Sequence, residues 1–122
     1  MGSSSARHQS AFAAKMKRGT IVSIKLEDAS PPELGKTRPG VVISNSEQNM
    51  LLASVVAVPL STQAPELWPL RLKLALPRQK TSYAVLPGMR QVKSSRLLDV
   101  MGHAPAEFMR ELDRALAAYL SD

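Results

Sequence analysis

Proline and glycine cut this chain into apolar runs too short for helices until residue 105, and that punctuation constrains its fold most. Pro31, Pro32, Pro39, Pro59, Pro65, Pro69, Pro77 and Pro87 interrupt the chain, and Gly40 and Gly88 each directly follow one of them. A proline inside a helix removes a backbone hydrogen bond and collides with the turn before it. The intervals therefore suit strands of roughly four to eight residues. Residues 21–26 alternate, with Val22, Ile24 and Leu26 on one face and Ser23 and Lys25 on the other, which predicts a half-buried strand. Residues 28–35 are a loop, and the β-branched run 40–44 a second strand. Residues 46–49 read as a turn, and 51–58 as a buried third strand that Pro59 ends. After a loop over 61–69, Leu70, Leu72, Leu74 and Leu76 alternate with Arg71, Lys73 and Ala75 in a fourth strand with a basic outer face, stopped by Pro77. Residues 83–86 and 89–93 are two short strands split by the turn pair Pro87-Gly88, and 94–97 is a single helical turn.

Beyond Pro105 the period changes. Phe108, Leu112, Ala115, Leu116 and Tyr119 form one apolar stripe at helical spacing. Proline is tolerated in a first turn and Glu107 suits a helix N-terminus. Glu107–Arg110 and Glu111–Arg114 are spaced to pair on the wet side. Such a helix buries its stripe by lying on the sheet. The predicted fold is α+β: a small SH3-like, partly open β-barrel with a C-terminal amphipathic helix. Residues 1–15 are small, polar and unpatterned, read as a flexible tail or remnant, and residues 16–122 as one domain. No apolar run approaches the roughly 20 residues of a membrane span, so no membrane association is expected. No signal-peptide core is present and there are 0 Cys, which favours the cytoplasm.

The formal net charge of +6 is unevenly placed. Residues 67–98 hold Arg71, Lys73, Arg78, Lys80, Arg90, Lys93 and Arg96 and no acid, a surface suited to a polyanion. Without cysteine there is no thiolate metal site or nucleophile, and His8 and His103 have no second ligand near them, so no metal or cofactor is expected. Gly35-Lys36-Thr37 lacks the glycine five positions earlier, and the helix after it, that a phosphate loop needs. Two polar clusters remain. Lys36-Thr37-Arg38-Pro39 opens a strand, where Pro39 holds Arg38 extended and the guanidinium fork suits a phosphate; a surface bridge to Glu33 is the alternative. Ser61-Thr62-Gln63 ends another strand with three groups able to bond phosphate or ribose, or to make ordinary turn bonds.

Taken in order, these segments resemble the MazF/PemK (Kid) family of toxins from toxin–antitoxin pairs, over about residues 17–120. The resemblance rests on Arg18-Gly19-Thr20-Ile21-Val22, on Glu33 leading to Lys36-Thr37-Arg38-Pro39 and a Val-rich strand ending in Ser44-Asn45, on Val58-Pro59-Leu60-Ser61-Thr62, and on the basic stretch from Arg90 to Leu97 before Gly102. It implies the CcdB/PemK-like plasmid maintenance toxin fold. It also implies a metal-independent, sequence-dependent endoribonuclease that cuts single-stranded mRNA by attack of the ribose 2′-OH. By this match Arg38 stabilises the charge on phosphorus, Ser61 stands at the family's usual threonine position, and Glu33 serves as base. Lys36, Thr37, Thr62, Gln63 and Arg90 would bind RNA. The partners implied are a second copy in a homodimer and an acidic antitoxin through which operator DNA is bound. One departure stands out: the Asp-Gln pair of many relatives reads Pro87-Gly88 here, and Val85 stands where the PemK branch has an arginine. The alternative is a non-cleaving member of the fold that binds DNA gyrase as CcdB does, or RNA without hydrolysis.

Overall fold

A computed structural model of the chain describes residue 12 and residues 15–25, 37–63 and 65–122. Its strands are β1 (Thr20–Lys25), β2 (Thr37–Val42), β3 (Ser54–Ser61), β4 (Arg71–Leu74), β5 (Ser82–Val85), β6 (Arg90–Lys93) and β7 (Leu97–His103). Helix α1 (Ser46–Leu52) lies between β2 and β3, and helix α2 (Ala106–Tyr119) ends the chain. The strands pair antiparallel in the order β4-β5-β3-β2-β1-β7, with β6 also on β3, so the sheet curls without closing. This is the partly open α+β architecture expected.

β3 is the hub. One edge pairs β2 from Gly40↔Pro59 to Val42↔Ala57. The other edge is shared: β6 takes Ser54–Ala57, and β5 takes Leu60 and Ser61. Successive β3 side chains enter two different cores. Val58 and Leu60 point into the core under α2, and Val55 and Ala57 into a second core on the opposite face. A strand covered on both sides has no polar face to show, which explains its unbroken apolar run.

Under α2, Phe108, Leu112 and Ala115 are buried against Ile21, Val41 and Leu72, and Leu116 and Tyr119 pack alongside. The predicted stripe is thus the face that docks, and burying each large side chain contributes about 1.5–3 kcal/mol. Glu111 and Arg114 form the expected ion pair on its outer side. Arg18, exposed just before β1, clamps the helix from below: its Nε donates to the Ile43 carbonyl at 2.9 Å and its guanidinium pairs with Asp113. The second core holds Met16, Val22, Ile24, Val42 and Val92. Phe12, inside the segment read as a tail, packs against it, and Met16 is 1% exposed.

Three readings need correction, and one strand was not foreseen. Residues 46–52 form α1 rather than a turn and the start of a strand. The Asn45 side chain caps it by accepting from the Gln48 N–H at 2.9 Å, and Asn49 anchors it. Fully buried, Asn49 donates through Nδ2 to the Met16 carbonyl at 2.7 Å and accepts at Oδ1 from the Ser44 hydroxyl at 2.5 Å. That hydroxyl in turn accepts from the Val56 N–H at 2.9 Å. Pro59 does not end the third strand, which continues to Ser61. Val58 and Pro59 fall between the stretches of β3 that pair β6 and β5, so the missing N–H is tolerated. The fourth strand is shorter than its alternation, covering Arg71–Leu74, although Leu72 and Leu74 point inward as expected. Finally, Leu97–His103 is a strand, β7, for which no expectation was formed. The turns expected at Pro87-Gly88 and after Ser94 are present as 3-10 turns, Leu86–Gly88 and Ser94–Arg96.

Candidate functional site

Four neighbouring strands, β1, β2, β3 and β6, together form a cleft of about 150 Å³ at one end of the second core. Ile24, Ala57 and Val92 make its floor, and Pro39, Pro59 and Gly88 stand at its sides. Arg38 and Arg90 line it as well. Both arginines are exposed, so each guanidinium reaches solvent at the rim while its stem covers apolar surface. Among the described residues, no carboxylate lines the cleft. The result is a small apolar hollow between two permanent positive charges.

Strand register explains how it forms. Arg38 lies across from Ile24 on β1, and Arg90, the first residue of β6, lies across from Ala57 on β3. Because β3 pairs with both β2 and β6, two arginines far apart in the chain reach the same hollow. Gly40 makes the floor possible, since a Cβ there would lie 2.7 Å from Ile24 Cδ1 and 3.3 Å from the Val58 carbonyl oxygen. Gly88 does the same for the wall, where a Cβ would lie 2.8 Å from Cγ of Pro59.

The structure treats the expected site residues unequally. Arg38 and Arg90 are brought together. Ser61 is half-buried at the end of β3, and its hydroxyl accepts from the Gln63 N–H at 3.1 Å, which leaves its own O–H free to donate. In the β2–β3 ladder, Arg38 and Ser61 each lie two residues beyond the Gly40–Pro59 pair, at the same end of their strands. Thr62 and Gln63 are exposed in the loop that follows, and Thr37 is exposed at the start of β2. Glu33 and Lys36 lie outside the described residues. The sequence reading missed the apolar lining. Its only local sign was Ala57, a small residue among Val55, Val56 and Val58. Gly88, read as half of a turn pair and as a departure from the family, stands in the cleft wall. Among the described residues, no three His, Cys, Asp or Glu side chains group as metal ligands do, and no helix is long and apolar enough to cross a membrane.

An open antiparallel barrel with a helix across one face and an arginine-flanked cleft on the other defines a small α+β protein with a basic cleft. Comparison with known proteins narrows that class. Residues 17–120 match the model of the PemK-like, MazF-like toxins of type II toxin–antitoxin systems, and the chain belongs to that family. It is similar to the endoribonuclease MazF9 of Mycobacterium tuberculosis, 27% identical over 113 residues, covering 86% of this chain and 96% of the relative. Among solved structures, an endoribonuclease in complex with its cognate antitoxin from a mycobacterial species has TM-score 0.72 and 24% identity, covering 86% of this chain and 94% of that one. MazF from Deinococcus radiodurans has TM-score 0.70 and 22% identity, covering 86% and 96%. At those identities the two structures speak for the fold.

Proposed function

We propose that this chain is the toxin of a type II pair and a sequence-dependent endoribonuclease acting on single-stranded mRNA in the cytoplasm, with the Arg38–Arg90 cleft as its active site. The observation that carries this reading is that Arg38 and Arg90, far apart in the chain, line one hollow. In the reaction the ribose 2′-oxygen attacks the adjacent phosphorus, its proton passes to a base, and the 5′-oxygen departs with a proton. The products are a 2′,3′-cyclic phosphate and a 5′-hydroxyl. The nucleophile belongs to the substrate, so the protein has to orient the strand and stabilise the extra negative charge on phosphorus. Arg38 suits that charge with two parallel N–H donors. Arg90 holds a neighbouring phosphate, and the free Ser61 O–H donates to a phosphate or leaving oxygen. Glu33 is the base and Lys36 an RNA contact by the family match, and Thr37, Thr62 and Gln63 bind the RNA strand as well. Requiring a 2′-OH makes RNA the substrate and DNA inert.

A homodimer is part of this reading. Leu51 on α1 and Val100 on β7 are 70% and 53% exposed, apolar surface that a second copy would cover. The cognate antitoxin, with an acidic segment, would lie over the basic strands and carry the operator contact. Purified protein with a single-stranded RNA and excess EDTA provides the test. Cleavage to cyclic phosphate ends should persist, should fall by roughly 100-fold or more in Arg38→Ala, and should be much reduced in Ser61→Ala. RNA left intact by the wild type refutes the nuclease, and inhibition of DNA supercoiling in its place would favour the gyrase-binding alternative.

A further inference from the structure

We propose that Tyr83 is the general acid of the cleavage, giving its phenolic proton to the departing 5′-oxygen; this rests on the nuclease reading above. Strand register places it there. On β5, Tyr83 lies directly across from Ser61, the last residue of β3. Directly opposed side chains stand on one face of a sheet, with Cβ atoms about 5 Å apart. On β3 that face is the one carrying Ala57 and Pro59 into the cleft, because side chains two residues apart share a face. On the other side of Ser61, Arg38 lines the same cleft from β2. Ser61 therefore stands in a row between Arg38 and Tyr83, on three neighbouring strands.

The departing oxygen needs a proton that the other two members of the row do not supply. A guanidinium is not deprotonated in proteins, so Arg38 holds charge and releases no proton. A serine hydroxyl is an aliphatic alcohol, no stronger an acid than the 5′-hydroxyl it would create, so the Ser61 O–H can bond the phosphate without driving a transfer. A phenol is far more acidic than either alcohol and still carries its proton at neutral pH. Tyr83 is half-buried and belongs to neither core, and among the described residues nothing bonds its hydroxyl. Val85, the next side chain on that face of β5, has no proton to give. In the step, the 2′-oxygen bonds to phosphorus as the bond from phosphorus to the 5′-oxygen breaks. Tyr83 delivers its proton to that oxygen while Arg38 stabilises the phosphate oxygens. The phenolate then regains, through water, the proton that the base took from the 2′-OH.

The test compares wild type with Tyr83→Phe, which keeps the ring and removes only the hydroxyl, on two single-stranded RNAs. One is ordinary RNA; the other carries sulfur in place of the 5′-oxygen at the bond the wild type cuts. A thiolate leaves without a proton. On ordinary RNA the variant should cleave about 100-fold more slowly, with an unchanged Tm and unchanged affinity for a strand made uncleavable by 2′-O-methyl groups. On the sulfur strand wild type and variant should cleave at the same rate. Arg38→Ala should stay slow on both strands, since the charge on phosphorus still has to be stabilised. Equal cleavage of ordinary RNA by wild type and Tyr83→Phe overturns the proposal and leaves the nuclease standing. A loss in Tyr83→Phe that is the same on both strands also overturns it, because the hydroxyl then acts on binding or structure and not on the leaving group. A wild type that cuts neither strand refutes the nuclease, and the acid role with it.

Discussion

Gly40→Ala puts one methyl where the floor of the cleft and the centre of the sheet meet. The added Cβ would stand 2.7 Å from Ile24 Cδ1, 3.3 Å from the Val58 carbonyl oxygen and 3.5 Å from the Ala57 Cβ. Ordinary carbon contacts begin near 3.5 Å, so the Ile24 terminal methyl must retreat by about 1 Å. The Val58 oxygen belongs to a strand paired on both edges and gives less. Overpacking a buried site by a methyl costs roughly 1–3 kcal/mol, and reduced freedom of the unfolded chain returns about 0.4–1 kcal/mol. The net loss expected is about 1–2 kcal/mol, a fall in Tm of roughly 5–10 °C for a domain of this size. Ile24 also lines the cleft, so its displacement should lower kcat/KM several-fold in protein that remains folded. Thermal unfolding followed by circular dichroism, with cleavage assayed well below the transition, measures both effects. An unchanged Tm with unchanged kcat/KM would show that the close approach at Gly40 constrains neither the sheet nor the site.

Two further outcomes follow from other contacts. Asn49→Ala removes the donor to the Met16 carbonyl and the acceptor of the Ser44 hydroxyl, both buried, so urea unfolding should show a loss of about 2–4 kcal/mol; a loss below 1 kcal/mol refutes the anchoring role. Arg90→Ala should weaken single-stranded RNA binding and reduce the slope of log Kd against log salt by about 0.7; an unchanged slope means that Arg90 meets no phosphate.

How much of this was readable in the residues depended on whether a pattern was local. The α2 stripe was, because one face of one helix meets one surface. β1 and β5 were legible within a residue or two for the same reason. α1 was misread because Leu51 and Leu52 look like the head of a buried strand, whereas the decisive residue is polar: Asn49 reaches Met16, 33 positions earlier. β7 breaks the two-residue period through register shifts against β1 and exposes Leu98, Val100 and Met101, so no alternation marked it. Arg38 stood out for its neighbours, Pro39 and Gly40. Its meeting with Arg90 depends on β3 carrying partners on both edges, which no local window contains. The apolar floor was silent because Ile24, Ala57 and Val92 read as plain core.

The shared edge of β3 also bears on how such a chain can change over evolutionary time. β5 leaves that edge at Leu60, the Leu86–Gly88 turn crosses the gap, and β6 rejoins it at Ala57. The turn is therefore a spacer that sets where β6 lands. Inserting or deleting one residue there slides β6 by one position and reverses its faces, carrying Arg90 away from the hollow and turning Val92 out of the core. The stretch between Gln63 and Pro69 carries no such duty, since its length does not set a register beside the cleft. Lineages descending from this chain are free to lengthen or trim that connection, while between Val85 and Arg90 they can exchange residues but not add or lose one.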